Sequence, residues 1–418
     1  MIKAKYFNLI LVALFLLETL CVTFFLNIKT AMPFVSVLYT FSGLAIVFVI
    51  LKNKFKAISY KYELKNIYGK NMQYKILISA IVMIVMYRFS KEYFFYNPLN
   101  YKESDMLPII KIMCERFINL KLSDVYKPIN EIWGGTKPIY LPALWMPFSI
   151  PTILHIDIRW LSVSLFFFIF AYPIWRLNLN KAGSTLMIAT IFLLFWYLFS
   201  VEDANLIIYT EETVVITFYL LLAVTIIHQQ KYLMAVVITL CLFSRYAFIG
   251  WLPALLIYNV YKKDWKYILI QGLVILTFFY FFLILPFGTQ LTYDIVNLPG
   301  RYIDFCSRVW HDTPTVFTQG LGFAKFFGPN HILLQHQILI GASLIVPSIY
   351  MIGLLVLKQK YQLNNTAILL STLKLSLVVF YTFIDVPYTY LFYTSTFISM
   401  IIVMHAEYVK SDRSYSVY

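Results

Sequence analysis

Apolar runs long enough to cross a lipid bilayer recur along this chain from one end to the other. Of its 418 residues, 61% are hydrophobic and 13% are charged, whereas a soluble domain has roughly 45–50% and about 25% of each. A helix that crosses a bilayer needs about 20 mainly apolar residues. The sequence therefore predicts a single all-α integral membrane domain over residues 1–418, with about 12 transmembrane helices.

The ends of these predicted helices follow from the charged residues, prolines and asparagines that interrupt the apolar runs. Two of the runs are short. The predicted spans cover residues 7–26, 33–51, 76–95, 160–176, 184–200, 213–228, 232–244, 247–260, 267–285, 335–357, 366–384 and 388–404.

The net charge of +14 is distributed in short lysine clusters between the apolar runs. Such clusters indicate membrane topology and not a nucleic-acid partner, which would need an extended basic domain. Loop 52–75 carries seven lysines against the single acid Glu63, and loop 261–266 is also basic. Because basic loops stay in the cytoplasm, we expect a multi-pass protein of the cytoplasmic (inner) membrane with both termini in the cytoplasm.

Almost all the acidic residues then fall on the opposite, outer side, which has two large segments, 96–159 and 286–334. This topology requires that the apolar stretch 138–154 enters from outside without crossing. It contains four prolines, and each proline removes a backbone donor from a helix. An interfacial or re-entrant element is therefore predicted there.

The first outer segment begins with an acidic E-x-D pattern, in which Glu103 and Asp105 lie just beyond a predicted span. A carboxylate in this position can act as a general base or a metal ligand, and an ordinary solvated pair is the alternative. Residues 106–120 follow with apolar side chains at helical spacing, and Lys111 and Glu115 form an i,i+4 pair on the other face. This pattern predicts an interfacial helix that lies along the membrane, which places the carboxylates at the depth where a lipid-linked substrate presents its phosphate and sugar.

With these acids as its first motif, the chain resembles the GT-C superfamily of polyprenyl-phosphate-sugar-dependent membrane glycosyltransferases. The resemblance covers about residues 95–255 and lies in the order of several short motifs, all on one predicted side. It departs from the family in having two spans before the E-x-D, where many members have one, and in Ile139, where the family has a second proline. It is closest to the bacterial mannosyltransferase-like branch. The matched pieces are Glu103-Ser104-Asp105, Lys137-Pro138-Ile139-Tyr140, the His155-to-Trp160 element with Arg159, the acidic loop with Glu211 and Glu212, Ser244-Arg245-Tyr246 and Trp251-Leu252-Pro253.

The resemblance implies an inverting single displacement from a polyprenyl-phosphate sugar, such as a mannose donor, to an acceptor lipid or glycan of the cell envelope. Asp105 would be the catalytic base, because an acceptor hydroxyl needs one. Glu103, Glu211 or Glu212 would orient the acceptor, or would bind a divalent metal as in the subset of the family that uses one. Cations would surround the leaving phosphate. The cations expected around the phosphate are Lys137, Arg245, Arg301 and Arg308. The further substrate-binding candidates are Tyr140, Arg159, His311 and Lys374.

Each of these residues also has a simpler interpretation. Each cation is, in this simpler interpretation, an interfacial charge that snorkels to the membrane surface and binds no ligand. His311 either polarises the phosphate or relays a proton, or it is a plain loop histidine. Lys374, in the middle of a span, lines the lipid-donor groove or forms a structural pair with a buried polar group.

Two other functions remain open at the level of sequence. A lipid or oligosaccharide transporter (flippase) would show repeated halves with broken helices at corresponding positions, whereas this chain has asymmetric outer segments. An O-antigen-type polymerase or ligase would centre on outer arginines and histidines without an E-x-D.

Overall fold

The chain folds into an all-helical membrane protein in the computed structural model, which describes residues 4–52, 72–101, 106–132, 135–177, 182–200 and 210–413. Within these ranges there is no β-strand, and the only sheet-like pairing is one bridge between Ile129 and Thr136. The helices are α1 Ala4–Val22, α2 Met32–Lys52, α3 Met72–Tyr96, α4 Met106–Ile118, α5 Pro142–Trp145, α6 Ser149–Ile153, α7 Arg159–Arg176, α8 Ala182–Ser200, α9 Glu212–His228, α10 Lys231–Leu242, α11 Leu252–Tyr261, α12 Trp265–Phe279, α13 Leu285–Val296, α14 Leu298–Asp312, α15 Thr315–Thr318, α16 Ala324–Phe327, α17 Ile332–Tyr361, α18 Asn365–Phe383 and α19 Tyr393–Arg413.

Seven helical segments of the described ranges are long and apolar enough to cross a membrane. The protein is thus a multi-pass membrane protein, although only seven of the twelve expected spans meet this standard. The other five expected spans are the helices α7 to α11, most of which are shorter. The seven segments are Phe7–Asn27, Lys29–Lys52, Met72–Tyr96, Trp265–Ile295, Pro329–Tyr361, Asn365–Phe383 and Thr389–Glu407.

The ninth predicted span, which was expected to end at residue 285, ends close to that residue. Helix α12 continues through a π-helical turn over Tyr280–Ile284 into the first residues of α13. The helical geometry breaks at Gly288, whose φ of 77° favours glycine. The helical residues beyond Gly288, up to Val296, belong to the second outer segment.

Contacts between helix ends divide the ends into two groups. All the loops within one group are loops that the charge pattern assigns to the same side of the membrane. In the predicted outer group, Arg159 contacts Asn97, Tyr246 contacts Ile295, Lys325 contacts Met32 and Gln335 contacts Ile384; in the other group, Asn8 contacts Ala406, Lys75 contacts Trp175, Lys231 contacts Asp264 and Lys358 contacts Asn365.

The helices α18 and α19 form the centre of the bundle. In each of them 89% of the most apolar window is buried inside the protein, compared with 6% for the peripheral segment Trp265–Ile295. Helix α18 packs against α2 and α17, while α19 packs against α1 and α9. The N-terminal ends of α9 and α19 therefore come together, and this meeting point contains the charged cluster described next.

Candidate functional site

Helix α4 begins at Met106, directly after the E-x-D motif. Glu103 and Asp105 themselves lie outside the described residues. The predicted amphipathic helix is present and ends at Ile118, two residues before the predicted boundary. Its apolar face, with Ile109 and Met113, is buried, whereas Lys111 and Glu115 lie on the exposed side with Nζ and Oε1 4.0 Å apart.

The proline-containing stretch that follows is divided into short helical pieces. Helices α5 and α6 have four and five residues and are joined by a 3-10 turn, Met146–Phe148. Neither is long enough to cross a membrane. Trp145 is fully buried and donates from Nε1 to the Tyr126 hydroxyl at 3.1 Å, and that hydroxyl donates to the Tyr140 carbonyl at 3.0 Å.

A backbone hydrogen bond fixes this stretch against the turn that carries Arg245. The Ala143 N–H donates to the Phe243 carbonyl at 3.1 Å. Next along that turn, the Tyr246 hydroxyl donates to the Ile295 carbonyl at 2.8 Å, at the end of α13. Two motifs that are about a hundred residues apart in the sequence therefore share one region of the fold.

The centre of this region is an ion-pair cluster of Arg245, Glu211 and Glu212. Arg245 Nη2 donates to Glu211 Oε1 at 3.3 Å and also pairs with Glu212 Oε2. The second oxygen of Glu212 accepts a hydrogen bond of 2.5 Å from the Thr394 hydroxyl. Both glutamates lie at the N-terminus of α9, where the helix dipole favours negative charge.

Burial and charge make this cluster electrostatically strong. The two glutamates are 1% and 0% exposed, whereas the side chain of Arg245 is 20% exposed. Burial alone would lower the pKa of Arg245, but the charges of Glu212 and Glu211 outweigh that effect and raise it above its usual value. The guanidinium is thus a permanent cation. Its Nε is buried and has no hydrogen-bond partner among the described residues.

Several tyrosines lie near the guanidinium of Arg245. Tyr381 and Tyr390 lie close enough to affect the charge of Arg245, and the rings of Tyr388 and Tyr390 stack with centroids 5.7 Å apart. Tyr302, from α14, interacts electrostatically with both Tyr388 and Arg245. Tyr388 and Tyr390 are both partly exposed.

Lys137, Tyr140 and Arg159 each contact residues that lie outside this cluster. Lys137 Nζ is 3.4 Å from Asp294 Oδ2, and Tyr140 contributes the backbone carbonyl described above. Arg159 is buried and binds both oxygens of Asp157, at 3.0 and 2.6 Å, and the Asn97 carbonyl at 2.6 Å. These bonds fix the end of α3 against the start of α7.

The remaining candidates do not join the cluster in any contact that the structure describes. Arg301 lies in α14, but its side chain is outside the described part of the chain, and Arg308 is exposed on the same helix. His311 is 90% exposed and contacts its neighbour Asp312 at 3.0 Å. Lys374 is fully buried and donates to Glu18 Oε1 at 2.6 Å and to the hydroxyl and carbonyl of Ser395. This arrangement matches the structural pair that was its second interpretation.

Sequence reasoning missed a second buried pair near the same end. His336 Nδ1 lies 2.7 Å from Asp385 Oδ2, and both side chains are nearly inaccessible. Burial raises the pKa of Asp385, and the hydrogen bond from His336 opposes this shift. The Gln335 amide donates to the carbonyls of residues 383–385. The two partners are 49 residues apart and follow no motif, so no local pattern reveals them.

No cluster of three or more histidine, cysteine or acidic side chains suited to a metal ion occurs in the described ranges. Because Glu103 and Asp105 lie outside those ranges, the metal that the resemblance allows remains a prediction. Comparisons of the chain with protein-family models, with curated proteins and with solved structures gave no match in any of the three.

Proposed function

We propose that this protein is an inverting glycosyltransferase, which moves a sugar from a polyprenyl-phosphate carrier to an acceptor lipid or glycan on the outer face of the cytoplasmic membrane. The observation that carries the proposal is the meeting of Arg245 with Glu211 and Glu212. These residues come from two motifs, 33 and 34 residues apart, which the resemblance assigns to one site. The backbone bond between Ala143 and Phe243 joins the segments that follow Tyr140 and precede Ser244, and so brings a third motif into the same region.

The chemistry of the cluster suits the donor. Transfer leaves a polyprenyl phosphate, whose negative charge needs a fixed cation. Arg245 is partly exposed, so its guanidinium can face an oxygen of that phosphate, while Glu211 and Glu212 hold it in place. Tyr388 and Tyr390 provide ring faces for the sugar.

The catalytic base in this proposal is Asp105, which immediately precedes α4 in the sequence. Single displacement with inversion requires one carboxylate beside the acceptor hydroxyl and no covalent intermediate. The donor is a polyprenyl-phosphate sugar, with mannose as the first to test. Both chain termini are cytoplasmic, and the site faces outward.

The test is sugar transfer by the purified full chain in lipid nanodiscs. Radiolabelled polyprenyl-phosphate mannose and other polyprenyl-phosphate sugars are supplied with a lipid extract of the host, and labelled product is measured. Asp105→Asn keeps the shape of the side chain and removes its basicity, so it should lower turnover by roughly 100-fold or more. The anomeric configuration of the product should be inverted.

Asp312→Asn is the matched control, because Asp312 is an exposed carboxylate of the other outer segment. It should transfer sugar at the normal rate. Turnover of Asp105→Asn within a few-fold of the unaltered protein would refute the assignment of the base, and the absence of any labelled product with all donors would refute the proposed function.

A further inference from the structure

An open cavity of about 740 Å³ lies beside α4, apart from the Arg245 cluster. Its lining includes Lys111 and Glu115 on the exposed face of α4, and side chains from the end of α6 and the turn that follows it, between residues 152 and 158. Leu99, in the loop after α3, also lines it. None of the residues in the Arg245 cluster lines it.

The lining combines opposite charges with aliphatic side chains. Lys111 and Glu115 are only loosely paired at 4.0 Å, and their side chains are 35% and 47% exposed, so both can bind another group. His155 adds a ring nitrogen, and Asp157 adds a carboxylate that Arg159 already binds. The described lining contains no phenylalanine, tyrosine or tryptophan, and a sugar ring would therefore find no aromatic face to stack on here.

The backbone presents His155 at the rim by ending α6 in a Schellman motif. The Ile156 N–H donates to the Pro151 carbonyl and the His155 N–H donates to the Thr152 carbonyl. His155 takes the left-handed conformation, with φ of 53°, at the position where glycine is usual. The polypeptide turns sharply there, and His155 places an imidazole at a position where the usual glycine has no side chain.

The rim of the cavity, at the end of α6 and the turn after it, is apolar and exposed. Ile153 and Ile156 line the cavity, and Ile150 and Leu154 belong to the same stretch; each of the four has between 47% and 61% of its surface accessible. Four such side chains within residues 150–156 form a patch that is typical of protein surfaces at the membrane interface. Acyl chains that lie on this patch would place a lipid headgroup in the charged cavity.

We propose that this cavity binds the headgroup of a zwitterionic phospholipid of the phosphoethanolamine type. The phosphate is bound by Lys111 and the His155 ring, the ammonium by Glu115 with Asp157 behind it, and the acyl chains by the apolar rim. One cation and one carboxylate that are free to bind match one phosphate and one ammonium. The inference depends on the cavity alone and holds whether or not the protein transfers sugar.

The experiment is native mass spectrometry of the full chain released from nanodiscs of equal parts phosphatidylethanolamine, phosphatidylglycerol and monoglucosyldiacylglycerol. We expect a retained phosphatidylethanolamine in preference to the other two lipids. The double variant Lys111→Gln, Glu115→Gln should reduce this preference about fivefold or more, since it removes both charged contacts. Soluble glycerophosphoethanolamine should not displace the lipid, because it has no acyl chains for the rim.

The double variant Asp124→Asn, Lys127→Gln is the matched control. It removes an exposed ion pair of 2.6 Å from the same outer segment, outside the lining of the cavity, and should keep the preference. Preferential retention of phosphatidylglycerol or of the glycolipid would overturn the proposal, as would an unchanged preference in the Lys111, Glu115 variant.

Discussion

At the scale of single residues, two buried ion pairs have different surroundings. Lys374 and Glu18 are both inaccessible, and the three hydrogen bonds of Lys374 are made inside the bundle. Arg245 pairs with inaccessible glutamates but is itself partly exposed. The first pair joins helices inside the bundle, whereas the second also reaches a surface, as the proposed binding of a phosphate requires.

Replacing Arg245 should destabilise the fold. Arg245→Met leaves Glu211 and Glu212 buried beside each other without their cation, and breaking a buried pair in this way costs about 3–5 kcal/mol. The four cysteines are buried and not disulfide-bonded, so a thiol-reactive dye in a heating experiment reports unfolding directly. The apparent Tm of Arg245→Met should fall by several degrees.

The control for this prediction is Arg308→Met. Arg308 is exposed on α14, and the Tm of this variant should remain within about a degree of the original, since exposed charges contribute little. Equal midpoints for the two variants would show that the Arg245 cluster does not stabilise the protein.

At the scale of helices, close approach depends on a few small residues. A Cβ added to Gly250 would lie 2.8 Å from the backbone oxygen of Ser343 in α17, and one added to Gly43 would lie 2.6 Å from a methyl of Val378 in α18. Small residues at such crossings are a common means of packing helices in membranes. The contact at Gly250 is the more rigid of the two, because a backbone atom cannot rotate away.

We expect Gly250→Ala to destabilise the protein by about 1–3 kcal/mol, the usual cost of overpacking. The cysteine-labelling midpoint measures it. Gly353→Ala, on α17, is the matched control because nothing lies within 4 Å of its added Cβ, and alanine is the better helix former. The prediction fails if Gly250→Ala unfolds at the same temperature as Gly353→Ala.

At the scale of the whole molecule, the helix ends separate into two groups that agree with the basic and acidic loops. The charge pattern assigns one of these groups to the cytoplasm. The Arg245 cluster, the cavity beside α4 and the His336–Asp385 pair all belong to the other group. The proposed chemistry therefore requires that this end faces outward.

Cysteine labelling tests this orientation. Since the native cysteines are buried, a membrane-impermeant maleimide should label His311→Cys in intact cells and Lys263→Cys only after permeabilisation. Both positions are exposed in the fold. Labelling of both before permeabilisation, or of Lys263→Cys alone, would contradict the predicted topology.

The sequence by itself determined that this chain is a membrane protein and which residues form most of its helices. It also determined that a surface helix follows the E-x-D. These features depend on local composition and periodicity, which a single sequence displays. The end of the ninth span was predicted within three residues of the break at Gly288, because proline and glycine at the end of an apolar run are a local signal.

Only the tertiary structure decided which charged residues meet. The sequence named Arg245, Glu211 and Glu212 through a resemblance, but it also named Lys374, whose partner Glu18 is 356 residues away, and it missed the His336–Asp385 pair altogether. Burial removes charges from water and makes their pairing obligatory, yet the choice of partner depends on how the helices pack, and no spacing along the chain records that packing.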